Sequence, residues 1–449
     1  MYFCLMNILL LGSGGREHAF AQKINQSLLC SELYVSPGNA GTAKMAINVE
    51  LPDFESIKQF CLVQQIKLVI VGPEQPLVDG IYDFFVNDPL LKGIPVIGPS
   101  QKGAMLEGSK AFCKQFLINH QIPTAQYKEI TTNNLAEGYQ FLEQLQAPYV
   151  LKANGLAAGK GVLICQELEE AKAELTAMLD GKFGSASATV IIEEFMHGIE
   201  FSVFVLTDGK DYKILPIAKD YKRIGEGDTG LNTGGMGAIS PPSFVTDEIM
   251  QSVEETIIKP TIEGFQKDNI IYKGFVYIGL MLTSDNISKV VEYNCRMGDP
   301  ETQAVFPRIT SDVVEMFQAV GDGTLKDYDL KASKKVCATI ILASKGYPED
   351  FEKGKVITHI EDVKDAYVFH AGTKLAGFLP RPCCEDESEA IKNGIVNKDA
   401  HNILSNGGRV LAVSALGNTI DEAVAIANKN AEIIQFENKY YRKDIGFDM

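Results

Sequence analysis

Apolar positions fall along the chain in short unbroken runs, separated by glycine-rich turns and by stretches with helical spacing. Residues 7–11, NILLL, form one such run; it stops at glycines, and the following REHAFAQKI brings Ala19, Phe20 and Ile24 near helical spacing. The expected order is strand, glycine turn, helix. KLVIVGPE at 67–74 and IPVIGPS at 94–100 are further runs, each ending in Gly-Pro. Strands that all hand their loops to one edge predict a parallel, doubly wound sheet.

The pattern then changes. EGSKAFCKQFL at 107–117 turns helical, and Pro123 marks a break before alternating strand and helix patterns lead into LKANGLAAGKGV at 151–162. VIIEEFMHGIEFSVFVLT (190–207) predicts two strands around a Gly198 turn, and KGFVYIGLMLTSDNISKVVEY (273–293) a hairpin turning near Ser284 to Asn286. Antiparallel sheet is thus expected after parallel sheet. Polar GTLKDYDLKASKK precedes a new apolar run, VCATIILAS, where a third unit begins. The expected class is multidomain, α/β followed by α+β: residues 1–104 doubly wound, 105–325 the central unit, and 326–449 a small mixed domain.

Length and charge narrow the function classes. A chain of 449 residues with 45% hydrophobic composition exceeds one ordinary core and suits several packed units. Its net charge of −16 repels a phosphate backbone, which argues against nucleic acid but permits small anions at local basic sites. Nine cysteines with no CxxC, the only close pair being Cys383-Cys384, suggest neither a zinc ribbon nor a disulfide framework, and a cytoplasmic setting is expected. The opening MYFCLMNILLLG has no basic leader, cleavage site or spanning length, so a buried strand rather than a membrane segment is expected, with Met6 an alternative start.

Several polar segments carry candidate chemistry. LKANGLAAGKGV is not a Walker loop: counted from Gly155, Lys160 arrives one residue early and Gly161 stands where a metal-binding hydroxyl belongs. Its glycines can still turn backbone N–H groups toward an anion, with lysine adding charge. LGSGGREH (11–18) has the glycine turn of a dinucleotide fold but places Glu17 where GxGxxG requires glycine. It is either a structural turn or a helix start that attracts an anion, with Arg16 adding a charge-assisted contact. SPGNAGTA (36–43) is a second glycine loop at the same expected edge.

AKDYKRIGEGDTGLNTGGMGA (218–238) is too polar for core and is either a functional loop or a mobile linker. As a functional loop, its NTGGMG would present backbone N–H groups while Asp220, Lys222 and Arg223 supply mixed charge. In VVEYNCRMGDPET (290–302), Glu292, Asn294 and Arg296 recur at period two and share a strand face. That face is either simply solvated or a hard-cation site, since a carboxylate and an amide oxygen suit Mg²⁺ whose other ligands are water and phosphate. The six histidines show no metal spacing, and no nucleophile motif appears.

In order and register, GSGGREHA, PGNAGT, VGPEQPLVDG, LEGSKAF, KANGLAAGKGV, IEEF, DTGLNTGGMGA, EYNCRMGDPETQ, FHAGT, SNGGRV and YRKDIG resemble the phosphoribosylamine glycine ligase family, ATP-grasp enzymes of purine synthesis. The resemblance runs nearly end to end. It implies an ATP-grasp fold with an N-terminal domain binding phosphoribosylamine, a mobile lid at about 124–193 and a C-terminal domain. It also implies an ATP- and Mg²⁺- (or Mn²⁺-) dependent ligation of glycine to 5-phosphoribosylamine through a glycyl phosphate, by a monomer in its stand-alone form.

Residue by residue, the resemblance implies that Lys110 and Lys152 hold ATP phosphates and that Gly155, Gly159, Lys160 and Gly161 belong to the closing lid. Glu193, Glu194 and Phe195 would embrace adenine and Glu200 its ribose. Glu292 and Asn294 would be metal ligands, and Arg296, with Lys152 and Asp220, the catalytic set. Gly14, Gly15, Arg16, Glu17, Asn39, Gly41, Thr42 and Asp299 are expected at phosphoribosylamine, and Asn232, Gly234, Gly235 and Gly237 at glycine. Asn154, Tyr221 and Leu231 depart from the aspartate, histidine and proline expected there, and 379–404 is expected to be a surface insertion. Rival readings are another ATP-grasp ligase or carboxylase, a nicotinamide-dependent dehydrogenase built on the first unit, and an inactive nucleotide-binding scaffold.

Overall fold

The computed structural model describes residues 5–156, 161–377 and 402–449. The apolar runs of the first unit form parallel strands β1 (Met6–Gly12), β2 (Cys30–Pro37), β3 (Ile47–Asn48), β4 (Ile66–Val71) and β5 (Val96–Pro99) in the order β3-β2-β1-β4-β5. Their interior residues, such as Leu9, Val69 and Ile70, are fully buried, as continuous apolar strands covered on both faces should be.

Helical sequence follows in two pieces. Ser109 is extended between the helices Gln101–Gly108 and Lys110–Asn119, and its hydroxyl accepts from the Phe112 N–H to cap the second. A separate four-stranded sheet then forms from β6 (Tyr127–Ile130), β7 (Tyr149–Ala153), β8 (Val162–Cys165) and β9 (Val190–Glu194), in the order β6-β9-β7-β8. It has its own core, including Ile130, Leu151, Leu175 and Ile192.

The two strands expected around Gly198 exist but do not form a hairpin. β9 stays in the small sheet, while β10 (Ile199–Thr207) pairs with β11 (Tyr212–Ile214) and β16 (Tyr272–Leu282). The expected hairpin at 273–293 is β16 with β17 (Ser288–Asn294). β16 also pairs antiparallel with β5, so among the described residues one nine-stranded sheet runs from the first unit through the central one. Glycines permit that seam: a Cβ on Gly274 would lie 2.9 Å from the Gly98 backbone.

The polar segment 218–238 is neither linker nor simple loop. It supplies β12 (Lys219–Asp220), the hairpin β13 (Arg223–Gly225) with β14 (Thr229–Asn232), and the start of β15 (Gly237–Ser240). β15 pairs with β18 (Val336–Ser344), so this segment belongs to a sheet otherwise drawn from the last third of the chain. Tyr221 and Met236, though set in polar sequence, are buried there. The remaining strands are β19 (Val356–Ile357), β20 (Ala366–His370), β21 (Thr373–Leu375), β22 (Ile403–Ser405), β23 (Arg409–Gly417) and β24 (Lys439–Tyr440). Most of the expected insertion at 379–404 lies outside the described residues, but Ile403 and Leu404 are paired strand residues of β22 and not surface insertion. No helix of the described residues is long and apolar enough to cross a membrane.

Candidate active site

Where β10, β12, β16 and β17 meet, Glu200, Ser202, Asp220, Lys222, Tyr277 and Glu292 line an open cavity. Strand periodicity explains the selection. Asp220 in β12 and Lys222 just beyond it face the cavity, while the alternating Lys219 and Tyr221 are buried away from it. Lys222 donates to Glu200 at 2.5 Å. Burial pulls the Lys222 ammonium down, but Asp220 and Glu200 outweigh it and hold the amine well above its ordinary range. Burial raises the Asp220 carboxyl against the pull of Lys222, with Glu200 adding to the rise.

Glu301, which no sequence argument singled out, stands behind this wall. It is 4% exposed, and the Ser202 hydroxyl, which also donates to the Tyr277 hydroxyl at 3.0 Å, lies 3.5 Å from its Oε1. Burial, then Asp220, raises its carboxyl to about 7.

The cations expected at nucleotide phosphates, Lys110 and Lys152, lie outside the cavity lining but within reach of the Glu292 charge. Lys152 Nζ contacts Glu193 Oε2 at 2.9 Å, and Lys114 Nζ approaches Glu193 Oε1 at 3.2 Å; all three side chains are buried. Burial pulls Lys152 down, but Glu193 more than offsets it and the amine ends above its usual value. Among the described residues the Lys110 ammonium bonds only the Gly155 carbonyl, at 3.2 Å, and burial leaves its amine below the ordinary range although Glu292 draws it up. Asn154, where aspartate was expected, accepts through Oδ1 from Ser109 Oγ and the Ala111 N–H, so it holds the start of the Lys110 helix. Gly155 N–H donates to the Ala186 carbonyl and Gly161 accepts from Ala153; Gly159 and Lys160 lie outside the described residues.

Glu193 is thus engaged through its side chain with two lysines. The Glu194 N–H is bonded to Gln126, its carboxylate meets Lys289 at 3.3 Å, and half-buried Phe195 packs edge-on against His197.

Glu292 and Asn294 project from β17 on the same side, the first exposed and the second half-buried, while Tyr293 between them is buried. Neither side chain makes a hydrogen bond or ion pair among the described residues. Two hard oxygen donors without a hydrogen bond or ion pair among the described residues, the first close enough to Lys110 and Lys152 to act on them by charge, fit Mg²⁺ or Mn²⁺. Among the described residues no three His, Cys, Asp or Glu side chains cluster around a metal position, so these two donors would need phosphate and water to complete a coordination shell. Arg296 continues the period but is already paired, to Glu107 at 2.6 Å and Glu74 at 3.3 Å.

The first glycine loop is held by the chain's own carboxylates. The helix Gly15–Ile24 does attract anions at its start, but the chain supplies them itself: Glu17 Oε2 accepts from the Gly14 N–H at 2.6 Å, and Asp299 Oδ2 from the Arg16 N–H at 3.1 Å. Arg16 donates to Glu17 Oε1 and to the Met297 carbonyl, and Glu17 is 2% exposed, so its carboxylate shapes the loop from within. Asn39 ties the second loop to the first and to the third unit: Oδ1 accepts from Gly41 and Thr42, and Nδ2 donates to the Ser13 and His370 carbonyls. Buried Thr42 bonds the Asn39 carbonyl and Asn48. Gly41 is required by close packing, since a Cβ there would sit 2.3 Å from the His18 ring.

The third unit forms one wall. The His370 N–H donates to His18 Nδ1 at 2.7 Å, and burial holds His18 down to about 4, in the neutral form that can accept. Arg409 lies 3.4 Å from Asp299 Oδ1 and donates to the Asp299 and Gly234 carbonyls. Burial would raise Asp299, but Arg409 and Arg16 hold it below the ordinary carboxylate range. Gly234 and Asn232 are exposed, Gly235 is buried at a left-handed φ of 110°, and Gly237 is a β15 residue packed on β18. Of the residues expected from the sequence, the structure brings Glu200, Asp220 and Glu292 to one cavity, with Lys110 and Lys152 near enough to Glu292 to feel its charge. Lys222 was expected to supply charge in a functional loop, and it lines the cavity; Lys114, Glu301 and Arg409 were singled out by no sequence argument, although they lie in or beside segments that carry the resemblance.

Comparison with known proteins fits this arrangement. Residues 6–107, 108–302 and 337–448 match in turn the N, ATP-grasp (A) and C domains of phosphoribosylglycinamide synthetase. A protein of Yersinia pestis named phosphoribosylamine–glycine ligase is 43% identical over 449 residues, with 98% of each chain covered. A crystal structure of phosphoribosylamine–glycine ligase from Thermotoga maritima superposes with a TM-score of 0.81 at 32% identity, over 98% of this chain and 99% of that one. The biotin carboxylase domain of Hydrogenobacter thermophilus 2-oxoglutarate carboxylase, in complex with MgADP, reaches a TM-score of 0.72 at 15% identity, over 98% of this chain and 92% of that one, a likeness of fold alone.

Proposed function

We propose, from the premise that this chain belongs to the phosphoribosylglycinamide synthetase family and has its ATP-grasp fold, that it ligates glycine to 5-phosphoribosylamine with conversion of ATP to ADP and phosphate. The observation that carries this reading is that Lys222 and Glu292 line one cavity while Lys110 and Lys152, outside its lining, lie close enough to feel the Glu292 charge.

A carboxylate is a poor acyl donor because oxide would have to leave. In the proposed sequence a glycine carboxylate oxygen attacks the γ-phosphorus, the bond to ADP breaks, and glycyl phosphate forms. The amine nitrogen then attacks the glycyl carbonyl, phosphate leaves with the bonding electrons, and the nitrogen loses a proton. Neither step needs a protein nucleophile. Positioning and charge neutralisation are the levers, and orientation alone can supply about 7–11 kcal/mol.

Lys110 and Lys152 bind and orient the nucleotide phosphates, and the segment of Gly155, Gly159, Lys160 and Gly161 closes over them. Glu193, Glu194 and Phe195 frame the adenine, and Glu200 the ribose. Mg²⁺ held by Glu292 and Asn294 would neutralise phosphate charge. Arg296 faces the transferring group, exchanging part of its carboxylate pairing for phosphoryl oxygens. Asp220, with the Asn232 to Gly237 loop, takes the glycine ammonium, while the loops around Gly14, Gly15, Asn39 and Gly41, with Arg16 and Asp299, face phosphoribosylamine.

The test is ADP release with ATP and Mg²⁺, adding glycine and freshly made phosphoribosylamine separately and together, with alanine, serine and bicarbonate as controls. Turnover that requires both substrates is the expected result. Turnover with another carboxylate, or ATP binding without ADP formation, overturns the substrate assignment.

A further inference from the structure

β12 and the backbone that continues it to Lys222, hydrogen-bonded at Tyr221 to Met236 and Gly237, carry Asp220 and Lys222 to the cavity and are gripped from the opposite face. Lys219 and Tyr221 point away from the site, and both end on one carboxylate: Asp448 Oδ2 pairs with Lys219 Nζ at 2.8 Å, and Asp448 Oδ1 accepts from the Tyr221 hydroxyl at 2.8 Å. Lys219 Nζ also sits 4.1 Å from the centre of the Tyr221 ring, and the Arg442 guanidinium 5.4 Å from it.

The grip continues past the strand. Arg442 is fully buried; it donates to the Arg223 carbonyl at 3.1 Å and pairs with Asp228 at 2.6 Å and Asp444 at 2.8 Å. Asp444 accepts from the Gly227 N–H at 2.7 Å, and the Tyr440 hydroxyl donates to the Ile224 carbonyl at 2.7 Å. The segment 440–448 therefore holds residues 219–228 by side chain and main chain together. Backbone bonds close the arrangement, with the Tyr221 N–H donating to Gly237 and the Met236 N–H to the Tyr221 carbonyl.

We propose that Asp448, through Lys219 and Tyr221, is a positioning residue for Asp220 and Lys222. The inference deepens the proposed function and rests on it, since it takes those two residues to contact substrate. In a strand, side chains i and i+1 leave a common backbone on opposite faces, so fixing one fixes the direction of the next. A tyrosine in place of the histidine expected at this position is long enough to reach Asp448, and it converts one backbone strand into a lever between segment 440–448 and the cavity.

Tyr221→Phe keeps the ring and removes only the hydroxyl, Asp448→Asn keeps the shape and removes the charge, and Asp448→Glu is the conservative control. Loss of such a bond at a positioning residue predicts that each of the first two variants raises the KM for glycine about three- to tenfold. The KM for ATP should change less than about twofold, well inside the effect of losing one hydrogen bond. Asp448→Glu should recover most of the glycine value, and amide exchange over 219–225 should quicken in the impaired variants. An unaltered glycine KM, even with faster exchange, reduces the contact to a structural one and overturns the proposal; so does an equal rise in both KM values. If wild-type protein shows no glycine-dependent turnover, the proposed function falls, and unchanged exchange in Asp448→Asn would separately refute the grip.

Discussion

Glu193 holds two buried cations, and replacing it tests how that cluster is held together. Glu193→Gln preserves shape while leaving Lys114 and Lys152, 2% and 7% exposed, without their shared carboxylate. Removing one partner of a buried ion pair leaves an uncompensated charge and destabilises by about 3–5 kcal/mol. Burial pushes the Glu193 carboxyl up, but Lys152 and Lys114 outweigh it and hold it below the ordinary range. A depressed carboxyl stabilises the fold above its unfolded value, and that stabilisation disappears as pH falls through the lower folded value.

The stability gap between wild type and Glu193→Gln should therefore be full near neutral pH and shrink in acid. Urea unfolding followed by far-ultraviolet circular dichroism measures it, with the first transition assigned to the sheet β6-β9-β7-β8, which has its own core. The triple change Lys114→Met, Lys152→Met and Glu193→Leu should regain most of the lost stability, because an apolar set has no charge to strand. It should not regain nucleotide binding. A Glu193→Gln protein within about 1 kcal/mol of wild type, binding ATP normally, would refute the account.

Glu292→Ala removes one of the two proposed metal donors and should raise the Mg²⁺ concentration for half-maximal ADP release by at least about tenfold; an unaltered titration rejects the assignment. Glu301, raised to about 7 by burial and Asp220, should show the opposite pH behaviour from Glu193. A raised carboxyl leaves stability intact below its unfolded value and withdraws it as pH rises toward the folded one. Glu301→Gln should therefore melt increasingly above wild type across that interval and then run parallel. A melting difference independent of pH would show that Glu301 is not held neutral.

The elements that periodicity marks out were legible for local reasons. NILLL, KLVIV and IPVIG become β1, β4 and β5 because a sheet buried on both faces needs unbroken apolar strands. The β16–β17 hairpin could be read because its partners are close in sequence. What could not be read is pairing over distance. Nothing near Gly237 announces that β15 will pair with β18, and β9 and β10 are consecutive strands that enter different sheets. The seam between β5 and β16 depends on Gly98 and Gly274 meeting without side chains, and each glycine alone resembles an ordinary turn or strand glycine. Tyr221 and Met236 were hidden for a related reason: their polar neighbours face the cavity or solvent while these two face a core contributed from elsewhere.

The site was legible in residue type and less so in what those residues are bonded to. Period two placed Glu292, Asn294 and Arg296 on one face, and the first two make no hydrogen bond or ion pair among the described residues while Arg296 is paired with Glu107 and Glu74. The difference is electrostatic. A partly exposed carboxylate or amide can remain solvated, whereas a guanidinium enclosed beside buried Glu107 needs an acceptor. The same substitution of internal anion for ligand recurs with Glu193 at Lys152, with Glu17 at Arg16, and with Asp299 at the Arg16 N–H. Some of the chain's 58 acidic side chains thus sit buried against the cations and N–H groups proposed to bind anions. An entering phosphate must compete with those carboxylates, so its affinity is a difference between two charged partners. Lys110 makes no ion pair among the described residues; Glu292 and Glu193 act on its charge without a contact, so it is less tightly held by an internal carboxylate than Lys152 is by Glu193.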